Sequence, residues 1–493
     1  MKKYMFIIMM LALTSAVFAT PYASQIRVSS LQVYQGTNLT ITYYINEAGG
    51  TASINIIKAS DLSVVAAFTG TATKGKNTVV WNGTVDNASG AKVDVGNYKV
   101  KITVNASKTA GWTEIASNSS LGNYIGSYPT MLQTLWDGFS GMEMYIPSDP
   151  TKDSFGYILC STSANSANPP SIHGHAVFNP DLSCANGGDG QTLWMKFPVT
   201  PPATYYTTCW GNCPDPDNAD YMWVEGQNPT IRVVMYGKYN DATSVDVTGG
   251  VTGLNSSRDI AVDKESGVKY AYIAGYAAST IFKVTISGNA LSGTATNILS
   301  MADTALSNKG VDFDSSGNLY YSVRSNEATT YTGGKVFRWS AAQVASAGAG
   351  SLNEANAQWN ITFPTNAQNV EGVGISPAGD VYAAVAGIAL DDGTIRGIYY
   401  IGNASTVTLT KTLDKTVDRI VPFQTYNASQ VSGYALGVAA DYAGNVLFVD
   451  RTHEQIREYG PGGTSSKAVV APNSQTFEIV SLPLSAHNWA IYE

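Results

Sequence analysis

"ALGVAADYAGNVLFVDRTHEQIREYG" (Ala435–Gly460) reads as three short strands cut by two turns. Its apolar runs flank a Gly-Asn turn at Gly444 and Asn445, the local chemistry of a tight turn between strands. A unit this small exposes strand edges and an apolar face, so it needs neighbours. The chain supplies them: "DIAVDKESGVKYAYIAG" from Asp259, "GVDFDSSGNLYYSVRSN" from Gly310 and "GVGISPAGDVYAAVAG" from Gly372 repeat an apolar strand, a Gly turn and a Tyr- or Val-rich strand. The turn glycines Gly267, Gly317, Gly379 and Gly444 recur at intervals of about 50 to 65 residues. That interval suits one four-stranded blade of a radial array, in which stacking covers the apolar faces. A two-sheet solenoid would need shorter and more uniform repeats.

"GMEMYIPSDPTKDSFGYILCST" from Gly141 and "DYMWVEGQNPTIRVVMYG" from Asp220 fit two more degenerate units and carry the array back to about residue 130. The expected fold is all-β: an Ig-like β-sandwich followed by a six- or seven-bladed β-propeller over residues 130–493, with seven favoured. The C-terminal "TFEIVSLPLSAHNWAIYE" is expected to pair with strands near Tyr128–Trp136 and close the ring. The 435–460 unit resembles an NHL-type repeat, the match being carried by Gly437, Gly444, Asn445 and Asp450. The other units lose the Val-x-Asp ending, so the resemblance is to a divergent NHL-like propeller.

Ahead of the repeats, residues 25–106 hold short β-rich runs separated by Gly, Asn and Asp turns, the pattern of a small antiparallel sandwich. Its last third, "GKNTVVWNGTVDNASGAKVDVGNYKVKITV", resembles the Ig-like domain of flagellar hook-capping proteins at Trp81, Asn82, Gly83, Gly90, Gly96 and Tyr98. Trp81 and Tyr98 are expected to fill or close the core. In that family the module is a spacer or assembly element appended to exported proteins. The Ser-, Asn- and Gly-rich residues 107–129 read as a linker.

"MKKYMFIIMMLALTSAVFA" (residues 1–19) pairs Lys2 and Lys3 with a short apolar stretch and small residues at Val17 and Ala19. This predicts a Sec-type signal peptide cut after Ala19 and a secreted or cell-surface protein. No later stretch approaches ~18 uninterrupted apolar residues, so no transmembrane segment is expected in the mature chain. The net charge of -8 becomes about -10 without the two lysines, which argues against nucleic acid as a partner.

Four cysteines in an exported chain favour disulfides, Cys209–Cys213 as a small loop and Cys160–Cys184 as a larger one. The CxxC pairs of structural zinc are absent. Asp215, Asp217 and Asp220 in "CPDPDNADY" alternate on a loop in a way that suits Ca2+, a hard cation wanting six to eight oxygens. His173 and His175 share one face of a regular strand, a spacing metal sites use, and ring closure would bring His487 towards them.

Glu371 in "NVEGVGIS" is expected just before an inner strand, pointing at the channel, with Asp259 and Asp312 in roughly equivalent places. Sugar-lactonase propellers, which this chain is similar to only in the Glu-Gly opening a strand, hold a divalent cation on such carboxylates. The leading expectation is a non-catalytic binding or assembly protein. Its propeller would be the platform for a protein or glycan partner, or for self-assembly, and the Ig-like module a spacer or docking element. The 29 Tyr and nine Trp fit an interface role. The alternative is a metal-assisted propeller hydrolase, lactonase- or esterase-like, acting at the channel through Glu371.

Overall fold

The computed structural model describes residues 21–117, 144–162, 174–183, 185, 208–227, 232–240, 245–254, 257–275, 279–302, 306–325, 333–367, 369–386, 395–422, 435–450 and 455–481. The expected signal peptide, residues 1–19, lies outside them. Among the described residues no helix is long and apolar enough to cross a membrane.

Seven strands come first, most of them alternating in burial with period two, as half-buried strands do. They are β1 (Ala23–Val28), β2 (Gln32–Tyr34), β3 (Leu39–Ile45), β4 (Gly50–Lys58), β5 (Val64–Gly70), β6 (Gly75–Trp81) and β7 (Gly96–Lys108). β1-β3-β6 form one sheet and β4, β5 and β7 belong to the facing one. Ile41, Tyr43, Ile54, Ile56, Val100 and Ile102 fill the space between them. Trp81 and Tyr98 are both buried there, as their apolar bulk requires. Each also satisfies its polar handle, Trp81 Nε1–H donating to the Thr84 carbonyl at 2.8 Å and Tyr98 O–H to the Asp94 carbonyl at 2.9 Å.

The propeller follows as β8 (Thr113–Ser117), then β9 (Met144–Tyr145), β10 (Ile158–Thr162) and β11 (Gly174–Phe178). Next come β12 (Thr208–Asp215), β13 (Asn218–Gln227), β14 (Arg232–Lys238) and β15 (Val245–Asp246), then β16 (Asp259–Glu265), β17 (Val268–Ala274), β18 (Ile281–Ser287) and β19 (Ala290–Asn297). The fourth group is β20 (Leu306–Phe313), β21 (Leu319–Ser325), β22 (Lys335–Trp339) and β23 (Trp359–Thr362). The fifth is β24 (Asn369–Ile375), β25 (Asp380–Ala386), β26 (Gly397–Asn403) and β28 (Arg419–Pro422), with β27 (Leu409–Thr412) joining the edge of the fourth. The last is β29 (Ala435–Ala440), β30 (Val446–Asp450) and β31 (Gln455–Gly460).

Each group is an antiparallel sheet, apart from the parallel β23–β27 pair, and the innermost strands β9, β12, β16, β20, β24 and β29 follow one another around the ring. The described residues thus form six blades. The turn glycines Gly267, Gly317, Gly379 and Gly444 have φ of +87°, +76°, +84° and +89°, a region L side chains rarely adopt. The repeat reading rested on these turns.

Three strands lie where the sequence reading did not put them. β8, inside the expected linker, is the fourth strand of the last blade, pairing antiparallel with β31 from Arg457↔Ser117 to Gly460↔Thr113. The C-terminal β32 (Gly463–Val470) and β33 (Phe477–Val480) return to the sandwich and pair along one edge of β7, with β33 also parallel to β2. Phe477 is fully buried, its ring 6.1 Å from both Trp81 and Tyr98. β33 lies in the C-terminal stretch expected to close the ring, and it and β32 instead cover β7, which at 13 residues would otherwise present an open edge. The expected partner strand at residues 128–136 lies outside the described residues.

Candidate functional site

The inner strands converge on a recess of about 640 Å³ at the end of the ring where each inner strand turns into the next strand. Side chains two apart on a strand share a face. On β16 that face carries Asp259, Ala261 and Asp263, on β20 Gly310 and Asp312, and on β24 Gly372 and Gly374. Ala261, Asp312, Gly374 and Ala439 line the wall, small side chains that leave the space open, together with Tyr145 and Cys213. Asp263 and Asp314 stand nearer the rim among Ser315, Ser316, Ser376, Asn403 and Ser405.

One step deeper the recess closes. Asp259 is 2% exposed and stands where neighbouring inner strands have glycine. A Cβ at Gly211 would collide with its Oδ1, and one at Gly310 would lie 3.4 Å from its Oδ2. The carboxyl accepts the N–H of Val311 at 2.7 Å and of Ile260 at 2.8 Å. Burial pushes its pKa well up, the two amides pull it back, and the neighbouring Asp312 and Glu225 push it further up. Beside it, Arg258 Nη2 donates to Glu371 Oε2 at 3.0 Å, joining the third blade to the fifth past the fourth.

Asp312 is the carboxyl set into the recess wall. Burial pushes its pKa up to about 7, with the Phe313 N–H at 2.7 Å opposing and Asp314 adding to the rise. Asp314 instead knits its own turn, accepting the amides of Ser316 and Asn318 and, on both of its oxygens, the Nδ2–H of Asn318. Burial, then Asp259, Asp312 and Asp215, push the Cys213 thiol up, so it stays protonated at neutral pH.

The sequence candidates fare differently. Glu371 is not at a strand end but inside β24, at the bulge between Val370 and Gly372, tied to Arg258. Asp215 accepts the Trp223 indole N–H at 3.0 Å and the Lys269 ammonium at 2.9 Å, while Asp217 binds Lys264 at 2.7 Å and Lys269 at 3.3 Å. The cation between these alternating carboxylates is thus a lysine from the next blade. Asp220 faces elsewhere, accepting the Ser154 N–H at 2.9 Å. His175 lies opposite Ser161 in the β10–β11 ladder, and His173 and His487 lie outside the described residues.

Neither Cys160 nor Cys213 is joined in a disulfide, which corrects the disulfide reading. Cys209 and Cys213 share the extended strand β12. Four residues at ~3.3 Å per residue hold their Cα atoms roughly 13 Å apart, beyond the ~7 Å a disulfide spans. Cys160 is packed in an apolar cluster with Met144, Phe178 and Val449, and Cys184 lies outside the described residues. Sequence reasoning placed Asp312 with Glu371 but missed Tyr145, Cys213 and Asp263. The usable signal was the column two residues past each strand-opening Gly.

No protein-family model and no curated protein matches the chain. Among solved structures, it is similar to a gluconolactonase from Xanthomonas campestris at 13% identity, over 66% of this chain and 88% of that one, with a TM-score of 0.36. A calcium structure of the family AA12 carbohydrate-active enzyme of Trichoderma reesei matches at 11% identity over 65% and 96%, TM-score 0.40. Regucalcin from Agrobacterium tumefaciens, a calcium-binding protein, matches at 11% over 56% and 97%, TM-score 0.33. At these identities and TM-scores the likenesses assign no activity and align no site residue.

Proposed function

We propose that the chain is an exported propeller protein whose working site is the recess, and that it binds there a small polyhydroxylated molecule, a sugar or sugar derivative. The observation that carries this reading is the wall itself. Asp263, Asp312, Asp314, the Ser376 and Ser405 hydroxyls and the Asn403 amide surround about 640 Å³, with no basic side chain among the described lining residues. Convergent polar groups in a concavity of ~300–1,000 Å³ are what a small polar ligand needs. The Ig-like module, with its likeness to hook-capping domains, fits a protein presented on the cell exterior.

A second reading, hydrolysis in the same recess, is favoured by Asp312. A carboxyl titrating near neutrality in a cleft can give and take a proton at a bound ester or lactone. Among the described residues no three His, Cys, Asp or Glu side chains come together to hold an ion. Calorimetry with mono- and oligosaccharides, and with the Ser315→Trp variant that plugs the exposed rim, tests the binding reading. Saturable binding weakened about tenfold or more by the plug supports it, since 1.4 kcal/mol of lost contact is tenfold. No binding of any sugar by the wild type between pH 5 and 8 overturns it. Turnover of lactones or esters that disappears in Asp312→Asn, while binding persists, selects the hydrolytic reading.

A further inference from the structure

The face between sandwich and propeller buries acids from both sides. Glu458 of β31 and Asp441 of the β29–β30 turn come from the propeller, and Tyr22, Asn46 and Glu47 from the sandwich, all at most 3% exposed. Asn46 clasps the two. Its Nδ2–H donates to Glu458 Oε1 at 3.2 Å while its Oδ1 accepts the Tyr22 N–H at 3.0 Å. Among the described residues the second oxygen of Glu458 is buried without a hydrogen-bond partner, as is that of Glu47, whose first oxygen takes the Lys108 ammonium. Asp441 is held by its own turn, through the amides of Ala443 and Asn445 at 2.8 Å and the Asn445 Nδ2–H at 2.7 Å. The charges packed around the cluster are Lys74, whose ammonium is 3.5 Å from the Ile115 carbonyl, Lys108 on Glu47, and Lys467 over the Tyr442 ring.

We propose that this face is a pH-responsive joint, closed when Glu458 carries its proton and loosened when Glu458 and Asp441 are both ionised. An ionised Glu458 would leave one buried oxygen without a donor and face a second carboxylate, and relief comes by admitting water between the domains. The titration agrees in direction. Burial first, then Asp441, pushes Glu458 well up, against the Asn46 hydrogen bond and Lys74. Burial likewise pushes Asp441 up to about 7. Both groups have folded pKa values above their unfolded ones. Their contribution is therefore full below the unfolded carboxylate range of ~4 and is lost as pH rises through the folded values. The joint tightens on acidification from weakly alkaline to mildly acidic pH. Strands β32 and β33 still hold the domains together when it loosens, so the response is an opening of the face, not a separation.

Hydrogen–deuterium exchange on the full chain, corrected for intrinsic rates, reads the joint directly. Protection at residues 22–27, 441–447 and 456–460 is expected to fall about tenfold or more between pH 5 and pH 8, one pKa unit of differential ionisation being tenfold. Residues 271–274 in the third blade should not respond. Glu458→Gln, which keeps the acceptor for Asn46 and removes the charge, should hold the pH 5 protection at pH 8. Protection of the face that is equal at both pH values in the wild type overturns the proposal, and so does a Glu458→Gln protein that loses protection as the wild type does. Should that variant not fold, the wild-type profile alone decides.

Discussion

Gly374 shows how single positions set the ring. A Cβ there would lie 2.5 Å from the Val438 carbonyl oxygen and 2.9 Å from its carbon, so the fifth and sixth inner strands approach at a distance only glycine allows. Gly348, with nothing within 4 Å of its would-be Cβ, has no such constraint. Gly374→Ala should therefore cost roughly 1–3 kcal/mol through displaced backbone, whereas Gly348→Ala should stay within about 0.5 kcal/mol. Urea denaturation of both variants checks this, and equal stabilities would mean that the strands part freely. Glu371 belongs to the same scale. Because it braces Arg258 and does not stand on the recess wall, Glu371→Gln should lower stability by about 1–3 kcal/mol, a charged hydrogen bond replaced by a neutral one. Ligand affinity at the recess should change little, and calorimetry beside thermal denaturation separates the two effects.

At the scale of elements, what could be read in advance was what is local. The Asp-x-x-Gly-Asn turns announce themselves because Asp314 and Asp441 bond amides two and four residues on while the glycine turns the chain. Trp81 and Tyr98 were legible because a large ring in a short alternating strand has only the core to go to. The destinations of β8 and β33 were not legible, since an edge strand carries no label for the edge it will cover. Nor were the fates of the acidic loop and the cysteines. Lys269, the partner that neutralises Asp215, comes from another blade, and Cys209–Cys213 spacing means a loop only if the strand bends. Within the recess, Asp312 could be suspected from its column, while Cys213 and Tyr145 are brought to the wall by the ring's closure. The exchange of strands makes a sharp expectation. Truncation after Gly462 removes β32 and β33, opens the β7 edge and takes Phe477 from between Trp81 and Tyr98. The sandwich should then become sensitive to protease throughout residues 21–108, and a protected sandwich in the truncated chain would deny β33 its role.

The whole molecule is laced twice. β8, which leaves the sandwich, completes the last blade, and β32 and β33, which leave that blade, complete the sandwich. Two domains joined by a single linker unfold separately when their shared face is small, but here neither can lose its edge strand without disturbing the other. The half-buried contact of Arg457 of β31 with Glu114 of β8 ties β8 into the last blade, and the buried contact of Asn46 with Glu458 adds a polar tie between the domains. Damage to the sandwich core should therefore be felt by the propeller. Trp81→Ala removes a fully buried ring and should cost about 3–5 kcal/mol, the usual range for deleting a large aromatic from a core. If the lacing couples the domains, calorimetry of this variant shows one transition at a lower Tm, with the propeller's near-ultraviolet signal melting alongside it. A low-temperature transition for the sandwich followed by a propeller melting at the wild-type temperature would mean that the exchanged strands act as tethers only.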